Sequence, residues 1–193
     1  MIFKFFWIIR ALLYKPFFGT FGFPSYIGKP IFIQNFQRIF IAKKVRIFPG
    51  VRMEVIYPTA SIFIETNVSI GQNFHIISGS ELIIGKNTTI SANVLITNID
   101  HEFKQIGTHV LDQTLLIKET TIGENCFIGY GAVIQAGTIL GKQCIVGANA
   151  VVRGIFPDYS VIVGIPARIV KRYDEKSGMW KQTNRNGEFL DEI

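Results

Sequence analysis

The chain has 193 residues, of which 48% are hydrophobic and 13% are aromatic. A chain of this length and composition builds one sizeable core, which excludes a disordered protein. Its formal charge of +6 comes from Lys and Arg residues that are scattered apart from the chain ends, with no Arg- and aromatic-rich nucleic-acid motif. We therefore expect no nucleic-acid partner, since an anionic cofactor or an anionic membrane surface explains the charge at least as well.

The N-terminal 15 residues are strongly apolar but are interrupted by Lys4, Arg10 and Lys15. A membrane span needs about 20 mostly apolar residues, and a signal peptide needs an unbroken apolar region with a cleavage site. Neither pattern is present, so we expect a cytoplasmic protein. On a helical wheel the polar face is ragged, which leaves two interpretations open: residues 1–18 contact the inner face of the membrane, or they pack on protein.

A repeat of six residues dominates the rest of the chain. Shorter six-step series join 64, 70 and 76, then 84, 90 and 96, and a less regular one joins 41, 47 and 53. A Gly commonly follows the aliphatic residue, as at 123, 129, 141 and 147, and a small residue stands four positions after it. The longest series of aliphatic residues has seven members: Leu116, Ile122, Ile128, Ile134, Leu140, Val146 and Val152.

A period of six fits neither a helix nor a simple strand. It predicts a solenoid in which three short strands and three corners form each triangular coil, with the aliphatic side chains stacked inside. We expect the Gly residues to serve corners that need a positive φ. Cys126 and Cys144, which are one coil apart, are predicted to be reduced core residues. The predicted divisions are an N-terminal segment (1–40), a solenoid (41–163) and a C-terminal segment (164–193).

The six-residue register slips in two places. Two extra residues around 78–80 predict a swollen corner, and the segment 97–115 lacks the repeat. We interpret 97–115 as a loop that projects from the solenoid, and loops on rigid scaffolds commonly carry functional groups. This loop contains Asp100, His101 and His109.

Four motifs lie within or beside the repeat: Thr97-Asn98-Ile99-Asp100-His101, Thr121-Ile122-Gly123-Glu124-Asn125-Cys126-Phe127-Ile128-Gly129, Val146-Gly147-Ala148-Asn149-Ala150-Val151-Val152 and Gly164-Ile165-Pro166-Ala167-Arg168. Through these motifs the chain, between about residues 60 and 173, resembles the hexapeptide-repeat acetyltransferases, in particular the branch that O-acetylates sugars and bacterial polysaccharides. The resemblance implies an all-β, left-handed parallel β-helix, acetyl-CoA as co-substrate, no required metal, and a sugar or glycan acceptor. It also implies a homotrimer with each site between neighbouring subunits.

By its position in the first motif, His101 is expected to be the general base, because an imidazole accepts a hydroxyl proton near neutral pH. The resemblance implies that Gly129 and Tyr130 supply backbone N–H groups to the developing oxyanion. It also implies that Phe127 and Asn98 line the acceptor site, with core packing left open for Phe127.

The resemblance further implies that Gly147 and Ala148 hold the pantetheine arm of CoA. Arg168 and Lys171 match basic positions that meet the CoA phosphates, and Arg153 is a weaker candidate. A solvated basic edge is the alternative interpretation of these cations. For the group that orients His101, Asp100 and Glu124 are both open.

Four other interpretations of the function need comparison. A zinc hydratase on the same fold needs three convergent histidines, and His75, His101 and His109 supply the number without that family's spacing. N-acetylation of an amino sugar or nucleotide amino sugar stays open, because an amine can use the same base. Serine acetyltransferases carry a long helical N-terminal domain that is not expected here, and a catalytically inactive scaffold is the last alternative.

Overall fold

The computed structural model describes residues 2–190, with side-chain environments from Lys4 onward. Met1 and residues 191–193, the ends of the two predicted terminal segments, lie outside the described residues. Three parallel sheets form the sides of a solenoid of about seven coils, and consecutive strands pass from the first sheet to the second and then to the third.

The strands of each sheet are short and stack one coil above another. The first sheet contains β1 (Thr20–Phe21), β4 (Ile39–Ile41), β7 (Ser61–Ile64), β10 (Glu81–Ile84), β15 (Thr120–Ile122), β18 (Ile139–Leu140) and β21 (Ile155–Phe156). The second contains β2 (Tyr26–Ile27), β5 (Arg46–Ile47), β8 (Ser69–Ile70), β11 (Thr89–Ile90), β16 (Phe127–Ile128), β19 (Ile145–Val146) and β22 (Ser160–Gly164), followed by the antiparallel strands β23 (Ala167–Asp174) and β24 (Met179–Gln182). The third contains β3 (Phe32–Gln34), β6 (Arg52–Val55), β9 (His75–Ser78), β12 (Leu95–Thr97), β17 (Val133–Ile134) and β20 (Val151–Val152).

The predicted aliphatic columns form the core. Six of the seven residues in the longest series, 122 to 152, are buried, as are the upstream residues of the repeat from Ile41 to Ile96. Leu116 is the exception, because it lies outside the coils, is only half buried, and pairs with Asp100 in a projecting hairpin. The small residues also face the interior, and Cys126 and Cys144 are free, buried thiols in contact with carbonyl oxygens.

The glycines of the repeat have a different role from the predicted one. Gly123 has an ordinary φ, and the left-handed conformation at that corner belongs to Asn125, with a φ of 59°. A Cβ on Gly123 would lie only 2.6 Å from the carbonyl carbon of Gly141 in the next coil. The glycine is therefore required by the close approach of stacked backbones.

The solenoid begins earlier than predicted. β1, β2 and β3 already pair with the second coil, so the first coil starts at Thr20 and not near residue 41. The six-residue spacing of this first coil was missed in the sequence. It joins Phe21, Ile27 and Ile33, and an aromatic residue and intervening prolines obscured it. Helix α1 (Ile2–Tyr14) packs on this coil through Trp7, whose ring centroid lies 5.8 Å from that of Tyr26 in β2. Within the described residues, no helix is long and apolar enough to cross a bilayer.

The predicted C-terminal segment extends the second sheet. β23 runs antiparallel to β22, and β24 folds back antiparallel on β23. Residues 164–190 therefore cover the last coil on one side of the solenoid instead of forming a separate unit.

Candidate active site

The segment predicted as a projecting loop is a hairpin. Strands β13 (Ile99–His101) and β14 (Leu115–Ile117) pair antiparallel, with His101 opposite Leu115. A short 3-10 helix, Val110–Asp112, lies in the connection between them. The hairpin leaves the solenoid after β12, on the third sheet, and the chain returns to the solenoid at β15, on the first sheet.

Asn98 anchors the base of the hairpin and does not line an acceptor site. Its side chain is fully buried. Its Oδ1 accepts a hydrogen bond of 2.7 Å from the Gly79 N–H, and its Nδ2 donates to Ser80 Oγ at 3.0 Å. Its backbone carbonyl accepts from Lys118 N–H at 2.9 Å. The predicted contact with acceptor is therefore wrong, because these bonds tie the hairpin to the swollen corner at 78–80.

His101 is exposed at the edge of a cleft of about 480 Å³. The cleft lies between the hairpin and the outer face of the third sheet, and its lining includes Thr97, Ile99 and Leu115. Among the described residues the imidazole of His101 has no hydrogen-bond partner. The ring is thus free to meet a substrate hydroxyl from the cleft.

Neither carboxylate considered as a partner of His101 touches its ring. Asp100 Oδ2 lies 3.1 Å from Arg153 Nη2 and 3.8 Å from Lys118 Nζ. Glu124 lies at a different corner, 2.8 Å from Lys86 Nζ, and this hydrogen bond lowers the pKa of Glu124 although partial burial opposes it. Within the described part of this single chain, no carboxylate orients the His101 imidazole.

The corner between the second and third sheets holds the predicted oxyanion residues. The Gly129 N–H is already used, because it donates to Val146 O at 2.8 Å in the next coil. The equivalent Gly147 N–H donates to Ile162 O at 2.8 Å. Of the residues that the structure describes here, Tyr130 and Ala148 have backbone N–H groups without a protein acceptor. Stacked corners thus present free donors at Tyr130 and Ala148, not at the glycines.

Several predicted cofactor residues share the outer face of the second sheet. Arg168 pairs with Val163 and Lys171 with Val161, and a bulge in β23 puts both cations on the same side although they are three residues apart. Both are exposed. Phe127, 42% exposed, is in the same row of paired residues as Lys171. Phe127 therefore lies on the outer face of the second sheet and is not among the residues that line the cleft beside His101.

Arg153 does not join Arg168 and Lys171. It follows β20 on the third sheet, and its guanidinium donates a 3.1 Å hydrogen bond to Asp100 Oδ2. Arg153 thus ties the hairpin to the C-terminal coils of its own chain.

The other two histidines have separate environments. His109 Nδ1 accepts a 3.3 Å hydrogen bond from Leu111 N–H at the start of the short 3-10 helix. His75 Nε2 lies 2.8 Å from Glu54 Oε1 on the floor of the cleft. Across residues 2–190 no group of three or more His, Cys, Asp and Glu side chains is placed to hold a metal ion. Sequence reasoning missed the His75–Glu54 pair, whose members are 21 positions apart.

Comparison with known proteins identifies the family. The family described as "Hexapeptide repeat of succinyl-transferase" matches residues 119–153. The putative lipopolysaccharide biosynthesis O-acetyl transferase WbbJ of Escherichia coli is 31% identical over 160 residues, which cover 79% of this chain and 81% of WbbJ.

Solved structures agree on the fold. AntD, an N-acyltransferase from Bacillus cereus in complex with dTDP and 3-hydroxybutyryl-CoA, has a TM-score of 0.73 at 19% identity, with 87% of this chain and 90% of AntD covered. A galactoside acetyltransferase in complex with coenzyme A has a TM-score of 0.61 at 22% identity, with 78% of this chain and 72% of that chain covered. The predicted left-handed β-helix is confirmed. The chain belongs to the hexapeptide-repeat acetyltransferase family and is an acyltransferase.

Proposed function

We propose that this enzyme transfers an acetyl group from acetyl-CoA to a hydroxyl of a sugar or of a cell-envelope polysaccharide precursor, with His101 as general base. The observation that carries the proposal is the exposed His101 imidazole, which has no hydrogen-bond partner among the described residues and lies beside a cleft of about 480 Å³. The likeness to WbbJ, a putative O-acetyl transferase of lipopolysaccharide biosynthesis, supports a glycan acceptor.

The transfer is direct. His101 accepts the proton of the acceptor hydroxyl while its oxygen attacks the thioester carbonyl, which forms a C–O bond and places negative charge on the carbonyl oxygen. The free backbone N–H groups of Tyr130 and Ala148 suit that charge. The C–S bond then breaks, and the protonated His101 returns the proton to the leaving CoA thiolate.

The residues of the second sheet fit the cofactor. Arg168 and Lys171 present two exposed cations on one face, as the phosphates of CoA require. Gly147 leaves room for the pantetheine arm and is also needed for packing, because a Cβ there would lie 2.8 Å from Val163 Cγ1. Ala148, with its free N–H group, is exposed at the adjoining corner. Arg153 is not part of this proposal, because Asp100 already engages it.

The proposed base and the proposed cofactor-binding cations lie on two different sheets, which favours a trimer with sites shared between subunits. His101 stands over the third sheet, whereas Arg168 and Lys171 lie on the second. A neighbouring subunit that applies its second sheet to this cleft would bring base and cofactor together. Apolar outward residues such as Phe40 and Phe63, stacked 4.7 Å apart, leave the first sheet suited to further subunit contact.

Subunit mixing tests the shared site. Sedimentation should give three times the 21.8 kDa mass of the chain. Co-expression of His101→Ala with an Arg168→Ala/Lys171→Ala variant should restore transfer that neither variant has alone, since some interfaces then contain both intact halves. A monomer, or mixed oligomers no more active than the two separate variants, would refute the arrangement.

Helix α1 and the loop after it are proposed to lie on an anionic membrane surface. The helix packs through one face and exposes the opposite one, where Phe5 is 62% and Leu13 66% exposed. Lys4 and Lys15 are exposed at the border of that face. Apolar side chains flanked by cations suit the interface of an anionic bilayer. Such a location would bring the enzyme to lipid-linked glycans.

Flotation with liposomes tests this contact. The full chain should float with anionic vesicles, and Phe5→Ser/Leu13→Ser should remain at the bottom of the gradient. Ile155→Ser is the matched control, because Ile155 is 79% exposed but lies in the last coil, far along the chain from α1. Equal flotation of the wild type and the double variant would contradict a membrane role.

The acetyl-transfer assay decides the main proposal. Free CoA thiol is measured with sugars and nucleotide sugars offered in pairs that differ only by a hydroxyl or an amino group at one position. His101→Ala should lower kcat by about 10²- to 10⁴-fold, whereas His109→Ala, an exposed histidine of the same hairpin, should not. Preference for the amino member would favour N-acetylation, for which the likeness to the N-acyltransferase AntD is the supporting observation. Transfer that survives in His101→Ala would move the base elsewhere.

A further inference from the structure

The floor of the cleft beside His101 contains a cluster of charged side chains that the proposed acetyl transfer does not use. Arg52 and Glu54 come from β6, and His75 comes from β9, the neighbouring strand of the third sheet. All three line the same cleft as His101. The cluster therefore adjoins the place where an acceptor would bind.

Glu54 is the centre of the cluster. Its residue is only 9% exposed, and its carboxylate accepts from Arg52 Nε at 2.7 Å, from Arg52 Nη2 at 3.0 Å and from His75 Nε2 at 2.8 Å. Burial works against the charge of Glu54, but the hydrogen bonds from Arg52 and His75 outweigh it and hold the pKa of Glu54 below its ordinary value. Glu54 thus stays charged and fixes the orientation of both partners.

Arg52 keeps hydrogen-bonding capacity that the protein leaves unused. A guanidinium has five N–H donors, and Glu54 engages Nε and Nη2, whereas Nη1 has no partner among the described residues. The Arg52 side chain is 49% exposed, and its guanidinium carbon lies 5.5 Å from the centre of the Phe32 ring. The His75 side chain is 32% exposed, and its Nδ1 has no hydrogen-bond partner in the part of the chain that the structure describes. If the Arg52–Glu54 salt bridge served stability alone, it would gain little from donors of Arg52 and His75 that find no partner among the described residues.

We propose that Arg52 binds a negatively charged group of the acceptor, a phosphate or a carboxylate, with His75 as a second contact. A planar guanidinium that is already oriented is suited to oxyanions of this kind. Asp100, at the edge of the hairpin, does not oppose an anion, because Arg153 and Lys118 offset its charge. The inference rests on the proposed function in one respect: the cleft beside His101 is taken as the acceptor site.

Calorimetric binding to the full-length protein tests the anion site without any need for turnover. The probes are inorganic pyrophosphate, D-glucuronate and neutral D-glucose. Arg52→Met should weaken binding of the anionic probe by about 10- to 100-fold and leave D-glucose unchanged. Lys43→Met is the control, because this change removes the same charge from an exposed corner of the same coil, between β4 and β5. Pyrophosphate binding that Arg52→Met weakens assigns a phosphate to this site, and glucuronate binding that Arg52→Met weakens assigns a carboxylate.

A second variant separates recognition from folding. Arg52→Met leaves Glu54 without its cation, so Arg52→Met/Glu54→Gln removes the charge imbalance and should show the same loss of anion binding. The proposal is overturned if neither anion binds the wild type more tightly than D-glucose, or if Lys43→Met loses as much affinity as Arg52→Met.

The two proposals fail separately. Anion binding that disappears in Arg52→Met while no acceptor is acetylated would retain the anion site and reject the proposed transfer. Conversely, acetyl transfer that depends on His101, together with anion binding that Arg52→Met does not change, would retain the transfer and reject the anion site.

Discussion

Replacement of Asn98 by Ala removes the side chain that fastens the His101 hairpin to the solenoid. Asn98 is fully buried, and its amide is bonded at both ends: Oδ1 accepts from Gly79 N–H, and Nδ2 donates towards Ser78 Oγ, Ser80 Oγ and the Glu81 carbonyl. Alanine supplies none of these bonds. The variant should therefore lose both stability and the fixed position of the general base.

The cost follows from the groups left behind. The Gly79 N–H becomes an unsatisfied buried donor, which costs about 1–3 kcal/mol, and the bonds donated by Nδ2 contribute about 1 kcal/mol more. Ser78 Oγ loses little, because it already donates to Ser80 O at 2.6 Å. The expected loss is about 3 kcal/mol, which lowers Tm by roughly 6–12 °C in a chain of this size.

Thermal unfolding, followed by circular dichroism, measures the loss. Asn184→Ala is the matched control, since the Asn184 side chain makes three local bonds, to Asn186 and Glu188, in an exposed turn near the C-terminus. Its variant should cost less than about 1 kcal/mol. If Asn98→Ala shifts Tm no more than Asn184→Ala, the anchoring role is wrong. A stable Asn98→Ala enzyme with unchanged kcat would refute the link to His101.

Two further perturbations probe the coils. Gly123→Ala forces a Cβ against the Gly141 backbone in the next coil and should lower the free energy of chemical unfolding by about 3 kcal/mol or more. Gly107→Ala is the control, because its Cβ meets open space; its φ of 79° should lower the free energy of unfolding by about 1 kcal/mol. Equal losses in the two variants would contradict the steric argument. Because the pKa of Glu54 is lowered in the folded state, its stabilisation is present above the ordinary value of 4.5 and is lost as pH falls through the folded pKa. Urea unfolding of the wild type and Glu54→Gln should therefore differ most near neutral pH and converge in acid, and a constant difference from pH 6 to pH 3 would refute the ion pair.

The sequence predicted the coils wherever the repeat is regular, because one inward residue in six is a property of the chain itself. It missed the first coil because Phe21 replaces the usual aliphatic residue. It also assigned Leu116 to the core, because Leu116 stands six positions before Ile122, although the chain at Leu116 is still in strand β14 of the hairpin. Spacing alone does not show whether the first member of a six-residue series already lies in a coil.

The site was less predictable than the fold, because the relevant contacts join different coils. The exposed position of His101 followed from the loop that carries it, but the roles of neighbouring residues depend on register. Asn98 reads as a polar loop residue, and only its place beneath the swollen corner makes it an anchor. Gly129 reads as a backbone donor, but stacking uses its N–H and leaves that of Tyr130 free.

The Arg52 cluster could not be predicted from the sequence, because its members come from different coils. β6 and β9 pair with Arg52 opposite His75, and the coil between them is longer than the regular 18 residues, so no repeat in the sequence relates these two positions. Only the observed register places Glu54 between them. A charged network built across coils of irregular length, on the outer face below the hairpin, has no role in the stacked core. Its position on the floor of the cleft is the reason to look for specificity towards the acceptor there, since the repeat itself determines only the scaffold.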